Sequence, residues 1–160
     1  MEDTSDLTAA SSGLDFDRLQ NLLTESQWQA ADEETKAIML KATDRESEGY
    51  LRAKDIDLLP YKVIGTIDKL WLQHSNNRFG FTVQKRIWLS ASQNYTEFGD
   101  LVGWHVKGCW LNKSEIDFSD RAKSGHLPAL LFPTTVVGSG EVFSFVLGKW
   151  RTNLLSRKDL

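Results

Sequence analysis

In the stretch Arg78-Phe79-Gly80-Phe81-Thr82-Val83-Gln84-Lys85-Arg86-Ile87-Trp88, three cations stand among four large apolar side chains. The residues before it place Val63, Ile64, Ile67, Leu70, Trp71 and His74 at helical spacing, which gives one apolar helix face. A concave apolar surface rimmed by cations suits a flat, apolar ligand with two negative charges. Rings stack on its faces and cations meet its charged edge. The same stripe is also the pattern of a helical hairpin that fills a core. On spacing alone the core reading is the commoner one.

Other chemistry is weakly represented. There is no glycine loop of the kind that cradles phosphate or a dinucleotide. Gly138-Ser139-Gly140 lacks the spacing of a nucleophile elbow and reads as a turn. His74, His105 and His126 lack metal-site spacing, and Cys109 is the only cysteine, so neither a thiolate cluster nor an internal disulfide can be built. One cysteine suits a reducing compartment. The carboxylates are read as lying on solvated faces. The spacing thus offers no hydrolytic site.

Helices must position the central stretch. Asp15 is placed to cap a short helix carrying Phe16, Leu19, Leu22 and Leu23. Ser26-Gln27-Trp28-Gln29 has the form of a capping box opening a second helix, with Trp28, Ala31, Thr35, Ile38, Met39 and Ala42 along one stripe. Asp32, Glu33 and Glu34 lie early in it and Lys41 late, as the helix dipole favours. Gly49 is a stop signal. Pro60 opens the main helix, which runs to His74. Gly65 inside it costs roughly 1 kcal/mol relative to Ala, which hints at a close approach there. A helix from about Thr82 to near Ser92 follows, then a short one over Thr96 to Val102. Gly103 to Lys123 reads as a long irregular segment, and its Trp104, Trp110, Ile116 and Phe118 suit a flap over an apolar surface. The run Val136 to Leu147 is rich in β-formers and fits either a hairpin or a last helix.

The composition is that of one soluble domain: 41% hydrophobic and 26% charged residues over 160 positions, with six Trp. A net charge of −3 gives no bulk attraction to nucleic acid or anionic membranes. No apolar run reaches membrane-spanning length. Residues 1–14 are acidic and polar and read as a disordered tail, with 15–160 as the single domain. They resemble neither a secretory signal nor a transit peptide.

Several motifs occur in a fixed order: Ala31-Asp32-x-x-Thr35, Leu59-Pro60, Thr66-Ile67-Asp68-x-Leu70-Trp71, Ser75-x-x-Arg78-Phe79-Gly80-Phe81-Thr82-Val83-Gln84-x-Arg86-Ile87-Trp88, Phe98-Gly99, Val102-Gly103-Trp104 and Gly125-His126-Leu127-Pro128. Together they resemble the tetrapyrrole-binding domain of the Genomes Uncoupled Four family over about Phe16 to Pro128. The resemblance implies an all-α, multihelical fold shaped like a cupped hand, with a long mobile loop. It implies binding of protoporphyrin IX or magnesium protoporphyrin IX, without a covalent cofactor. It also implies an accessory role beside the large porphyrin-binding subunit of magnesium chelatase in chlorophyll synthesis, in a cyanobacterial cytoplasm or a chloroplast stroma. By resemblance, Ile56, Ile67, Trp71, Phe79 and Phe81 line the palm, and Gln84 and Arg86 supply polar contacts. Arg86 or Arg78 meets a propionate. Trp104 to Phe118 is the mobile loop, and His126 and Leu127 lie at its far hinge. His126 is also a candidate axial ligand for magnesium, with water the default.

Three features depart from the family pattern. The chain has no separate helical bundle before the domain. The loop tip carries Lys113 and Ser114 where an apolar tip is usual. The segment Ala129 to Val137 carries no cation where the family has arginines. Burying about 400 Å² of porphyrin face is worth roughly 10 kcal/mol, against an association cost of about 4–15 kcal/mol, so modest affinity is expected. A second reading follows from the divergent C-terminal third: an interaction module that kept the fold and filled the palm with side chains from Val136 to Leu147.

Overall fold

The computed structural model describes residues 14–131 and 150–160, with the backbone of two strands between them. Seven α-helices dominate these residues: α1 (Asp17–Thr24), α2 (Trp28–Ala42), α3 (Ala53–Leu58), α4 (Tyr61–His74), α5 (Phe81–Ser90), α6 (Tyr95–Val102) and α7 (Trp150–Leu155). A two-residue hairpin pairs β1 (His105–Val106) with β2 (Cys109–Trp110). A second antiparallel hairpin pairs β3 (Pro133–Val137) with β4 (Gly140–Phe143), with an irregularity between Pro133 and Thr135. The fold is mainly helical, as the resemblance implied. The run from Val136 is therefore a hairpin and not a helix. Its side chains, and all of residues 144–149, lie outside the described residues. So do residues 1–13 of the expected tail, whereas Leu14 is buried and belongs to the core.

The helices pack in pairs that follow their apolar faces. α1 lies on α2 and α4, α2 on α4, α5 on α6, and α7 on α3 and α5. The core between them contains Leu19, Leu23, Ile38, Met39, Ile64, Ile67, Trp71, Phe79, Phe81 and Phe98, all essentially without solvent contact. The turn joining α4 to α5 is explained by one carboxylate. Asp68, buried on α4, accepts from the backbone N–H of Thr82 at 2.9 Å and from its hydroxyl, and so caps α5 from another helix. A β-carbon at Gly80 would lie 2.8 Å from that carboxylate, and its φ of 132° is open only to glycine. Gly80 between Phe79 and Phe81 is thus a consequence of Asp68.

One helix end differs from the expectation. Ser26 does not cap α2. It sits in the left-handed region (φ 56°) and ends α1: its N–H donates to Leu23 and the N–H of Gln27 to Leu22. Asp44, Asn76 and Ser92 end α2, α4 and α5 in the same way, with the return bonds Arg45 to Leu40, Asn77 to Leu72 and Gln93 to Trp88. The close approach at Gly65 is internal: the Tyr61 ring lies across it at 3.7 Å from where a β-carbon would stand.

The core also contains a non-helical strap, residues 125–131, buried along its whole length. Buried backbone polar groups need partners, and here side chains from distant elements supply most of them. Gln84 Nε2 donates to the carbonyls of Gly125 and Pro128 at 3.0 and 2.9 Å. Trp104 Nε1 donates to His126 O at 2.9 Å, and Gly80 N–H to Leu127 O at 3.1 Å. Asp32 accepts from the N–H groups of Ala129 and Leu130 at 2.6 and 3.0 Å. Arg151 on α7 donates to Ala129 O, and Lys36 Nζ to Leu131 O at 3.0 Å. Asp32 therefore does not serve the α2 dipole from a solvated face. It is buried because the strap's amides need an acceptor.

Candidate ligand site

Eight of the ten residues expected at a ligand lie in the interior. Ile56, Ile67, Trp71, Phe79, Phe81, Gln84, His126 and Leu127 are all buried. Arg78 is half-buried and Arg86 exposed. Two of the eight, Trp71 and Phe79, meet around a third residue, Trp28, that sequence reasoning placed only on a helix stripe. Trp28 stacks on Trp71 with ring centroids 6.0 Å apart and meets Phe79 edge-on at 5.3 Å. Trp71 meets Phe79 at 6.4 Å. The Trp71 indole N–H is held by Thr35 Oγ1 at 3.0 Å. Arg78 lies over the Phe79 ring at 5.7 Å. Gln84 is spent on the strap, so its amide nitrogen faces two carbonyls and not a ligand.

The segment after α6 covers this cluster from one side. Its first part is fastened by aromatic packing. Trp104 is fully buried against Phe98 (5.4 Å) and the Arg151 guanidinium (4.4 Å). Trp110 stacks on Tyr95 at 5.1 Å and lies directly on Gly99, where a β-carbon would come within 2.5 Å of the indole. Its second part crosses the Trp28 edge. Asp120 Oδ1 accepts the Trp28 indole N–H at 2.7 Å, and the Arg78 guanidinium donates to the carbonyls of Asp120 and Ala122. Lys113 reaches Glu33 at 4.0 Å. Beside this contact, Ser26, Gln27, Trp28, Gln29, Ala30 and Phe118 line a shallow concavity of about 480 Å³.

His126 joins the cover to the strap. Its Nδ1 donates to Val102 O at 2.7 Å and its Nε2 accepts the N–H of Asp117 at 3.0 Å. Those partners require the neutral tautomer with the proton on Nδ1. Burial pushes its pKa below the usual histidine range, so it stays neutral. Both ring nitrogens are used, which leaves His126 no lone pair for a magnesium ion. Among the described residues no three His, Cys, Asp or Glu side chains gather as a metal site.

Asp32 and Arg151 were not legible as partners, because 119 positions separate them and no local spacing links them. Burial raises the Asp32 carboxyl from 3.8 to about 6, against the opposing pull of the two strap amides and Lys36. Burial lowers Arg151, which is 2% exposed, while Tyr95 and Asp32 pull it back. Arg151 is the cation that α7 brings to the strap carbonyls. It is held between the rings of Trp104 and Trp150, each 4.4 Å away. Trp28, Phe118 and Asp120 complete the missed group. Their sequence signal was a tryptophan at the start of a helix and an aromatic in a long loop.

Comparison with known proteins agrees with this architecture. A family model described as GUN4-like matches residues 9–139. "Uncharacterized protein ycf53" of Porphyra purpurea is 36% identical over 118 residues, 72% of this chain and 50% of that protein. "Tetrapyrrole-binding protein, chloroplastic" of Arabidopsis thaliana is 28% identical over 125 residues, 71% of this chain and 47% of that protein. The chain thus spans about half the length of the curated relatives it matches. The structure of GUN4 from Chlamydomonas reinhardtii superposes with a TM-score of 0.74 at 22% identity, over 93% of this chain and 92% of that one. This likeness shows the fold.

Proposed function

The chain belongs to the GUN4-like family, and from that premise we propose that it binds a tetrapyrrole, protoporphyrin or its magnesium form, as a binding protein and not a catalyst. The observation that carries this reading is the Trp28–Trp71–Phe79 cluster, edged by Arg78 and covered by a segment whose Phe118 lines an open concavity. The name of the Arabidopsis relative supports it.

In this reading Ile56, Ile67, Trp71, Phe79 and Phe81 form the floor, and Trp28 and Phe118 flank the ring. Arg78 meets a propionate, as a cation already half-open to solvent can do at low desolvation cost. Arg86, exposed on α5, is the alternative cation. Gln84, His126 and Leu127 act through the strap and hinge. A magnesium ion in the ring would find no free nitrogen on His126, whose two ring nitrogens are both hydrogen-bonded. In the same reading the chain works as an accessory to the large subunit of magnesium chelatase, in a chloroplast stroma or a cyanobacterial cytoplasm. No helix among the described residues is long and apolar enough to cross a membrane.

The test is a titration with magnesium deuteroporphyrin and with the metal-free ring, followed by tryptophan fluorescence, beside Phe118→Ala and Arg78→Gln. Both variants spare the fully buried floor. Losing the Phe118 ring contact is worth about 1–2 kcal/mol, so binding weakens roughly five- to thirty-fold. Well-folded wild-type protein with no saturable quenching would overturn the reading.

A further inference from the structure

We propose that Thr35 is a positioning residue for the ligand site, acting through Trp71 on Trp28, and that the site uses its hydroxyl and not its methyl group. The effect on binding rests on the tetrapyrrole reading; the placing of Trp71 does not. A threonine hydroxyl has one hydrogen and two lone pairs, whereas an indole N–H can only donate. Thr35 gives its hydrogen to Ala31 O, one turn back on α2, at 2.8 Å. The oxygen is thereby left as an acceptor, and Trp71 Nε1 donates to it at 3.0 Å. Thr35 and Trp71 are both without solvent contact, so neither has water as an alternative partner. A helix allows a threonine two side-chain rotamers, and the bond to Ala31 O selects between them. The place of the acceptor is therefore fixed by α2 itself. Packing alone would be served by valine, which has the same shape. The acceptor is what valine lacks.

The held indole sets the layer above it. Trp71 lies under Trp28 with ring centroids 6.0 Å and planes 26° apart, and Phe79 closes edge-on against both. Trp28 is 6% exposed and lines the concavity together with Phe118. A flat ligand entering there meets Trp28 first, and Trp71 only through it. Trp28 and Thr35 share the buried face of α2, two turns apart. One helix thus carries the ring that the ligand meets and the hydroxyl that orients the ring beneath it. Aromatic pairs accept several offset and edge-on arrangements. The Thr35 bond holds Trp71 in one of them, which preorganises the site. Apparent affinity scales with the fraction of molecules already in the competent arrangement.

The test is a double-mutant cycle on the intact chain, with magnesium deuteroporphyrin and the metal-free ring as probes and their absorbance as the readout. The proteins are wild type, Thr35→Val, Thr35→Ser, Trp71→Phe, and Thr35→Val combined with Trp71→Phe. Thr35→Val should weaken binding roughly three- to ten-fold, as the competent arrangement falls to about a third to a tenth of the molecules. Thr35→Ser keeps the hydroxyl and should restore binding to within about two-fold of wild type. In the Trp71→Phe background there is no indole N–H to hold, so Thr35→Val should cost nothing further. Equal weakening in both backgrounds would show a general packing role and overturn the proposal, as would Thr35→Val binding like wild type. Should Thr35→Val fail to fold alone, the Trp71→Phe background carries the test, and weakening by valine there overturns the proposal. A second readout needs no ligand. Hydrogen exchange of the Trp71 indole N–H, assigned by its loss in Trp71→Phe, should quicken in Thr35→Val and not in Thr35→Ser; unchanged exchange would overturn the positioning. Wild-type protein that binds neither ring would refute the tetrapyrrole reading, and the indole exchange would still decide whether Thr35 positions Trp71.

Discussion

The buried carboxylate of Asp32 makes stability depend on pH with a predictable sign. Its folded-state pKa is raised from 3.8 to about 6. The native state therefore holds a proton between about pH 4 and pH 6 that the unfolded chain has lost. The contribution of the protonated group is fully present below about pH 4 and is lost as pH rises through about 6. The displacement corresponds to about 3 kcal/mol, a sizeable part of the 5–15 kcal/mol typical of a domain. The paired carboxylates Asp55 and Asp159, held low by hydrogen bonds from Arg52 and Arg157, act in the opposite sense at lower pH. A difference measurement isolates Asp32. Urea unfolding of wild type and Asp32→Asn at several values between pH 4 and 7.5 gives the free-energy gap as a function of pH. Asn cannot titrate, so the wild type should lose about 3 kcal/mol relative to the variant across that window. The offset between the two proteins depends on how the amide meets two N–H donors; the slope does not. A flat gap would refute the reasoning. It would mean that Asp32 is ionised throughout and that Arg151, not a proton, balances it.

Two further substitutions test the packing. Gln84→Leu leaves the carbonyls of Gly125 and Pro128 without their donor in a buried site, and should lower stability by about 2–4 kcal/mol in urea melts; a loss under 1 kcal/mol would mean that the strap is satisfied otherwise. Gly99→Ala puts a methyl group 2.5 Å from the Trp110 indole. It should unseat that ring at a cost of about 1–3 kcal/mol and change the Trp110 emission, read against a Trp110→Phe background.

The helices from α4 to α6 were legible because their apolar residues repeat at 3.6-residue spacing and Pro60 marks the start of α4. The turn between α4 and α5 was legible only as turn chemistry. Its cause, the Asp68 carboxylate reaching Thr82, spans fourteen positions and leaves no local sign. The helix end at Ser26 was hidden because glycine usually fills the left-handed position this residue occupies. The strap was hidden more deeply. It has no periodicity, and most of its partners are single polar residues on α2, α5 and α7 that no local spacing ties to it.

The candidate site was half legible. Trp71 and Phe79 share one aromatic cluster with Trp28, but the sequence reading took buried residues for accessible ones. Whether an aromatic stripe faces a ligand or a core is decided by what covers it, and here the cover is a loop 40 residues downstream, fastened by Trp28 and Asp120.

The most direct test of ligand binding is the saturation of tryptophan fluorescence by magnesium deuteroporphyrin and by the metal-free ring, on the intact chain. Saturable quenching by either ring, weakened by Phe118→Ala, is the predicted result. No quenching, from protein whose circular dichroism and urea melt show an intact fold, would contradict the account and leave a GUN4-like fold whose partner is something other than a tetrapyrrole.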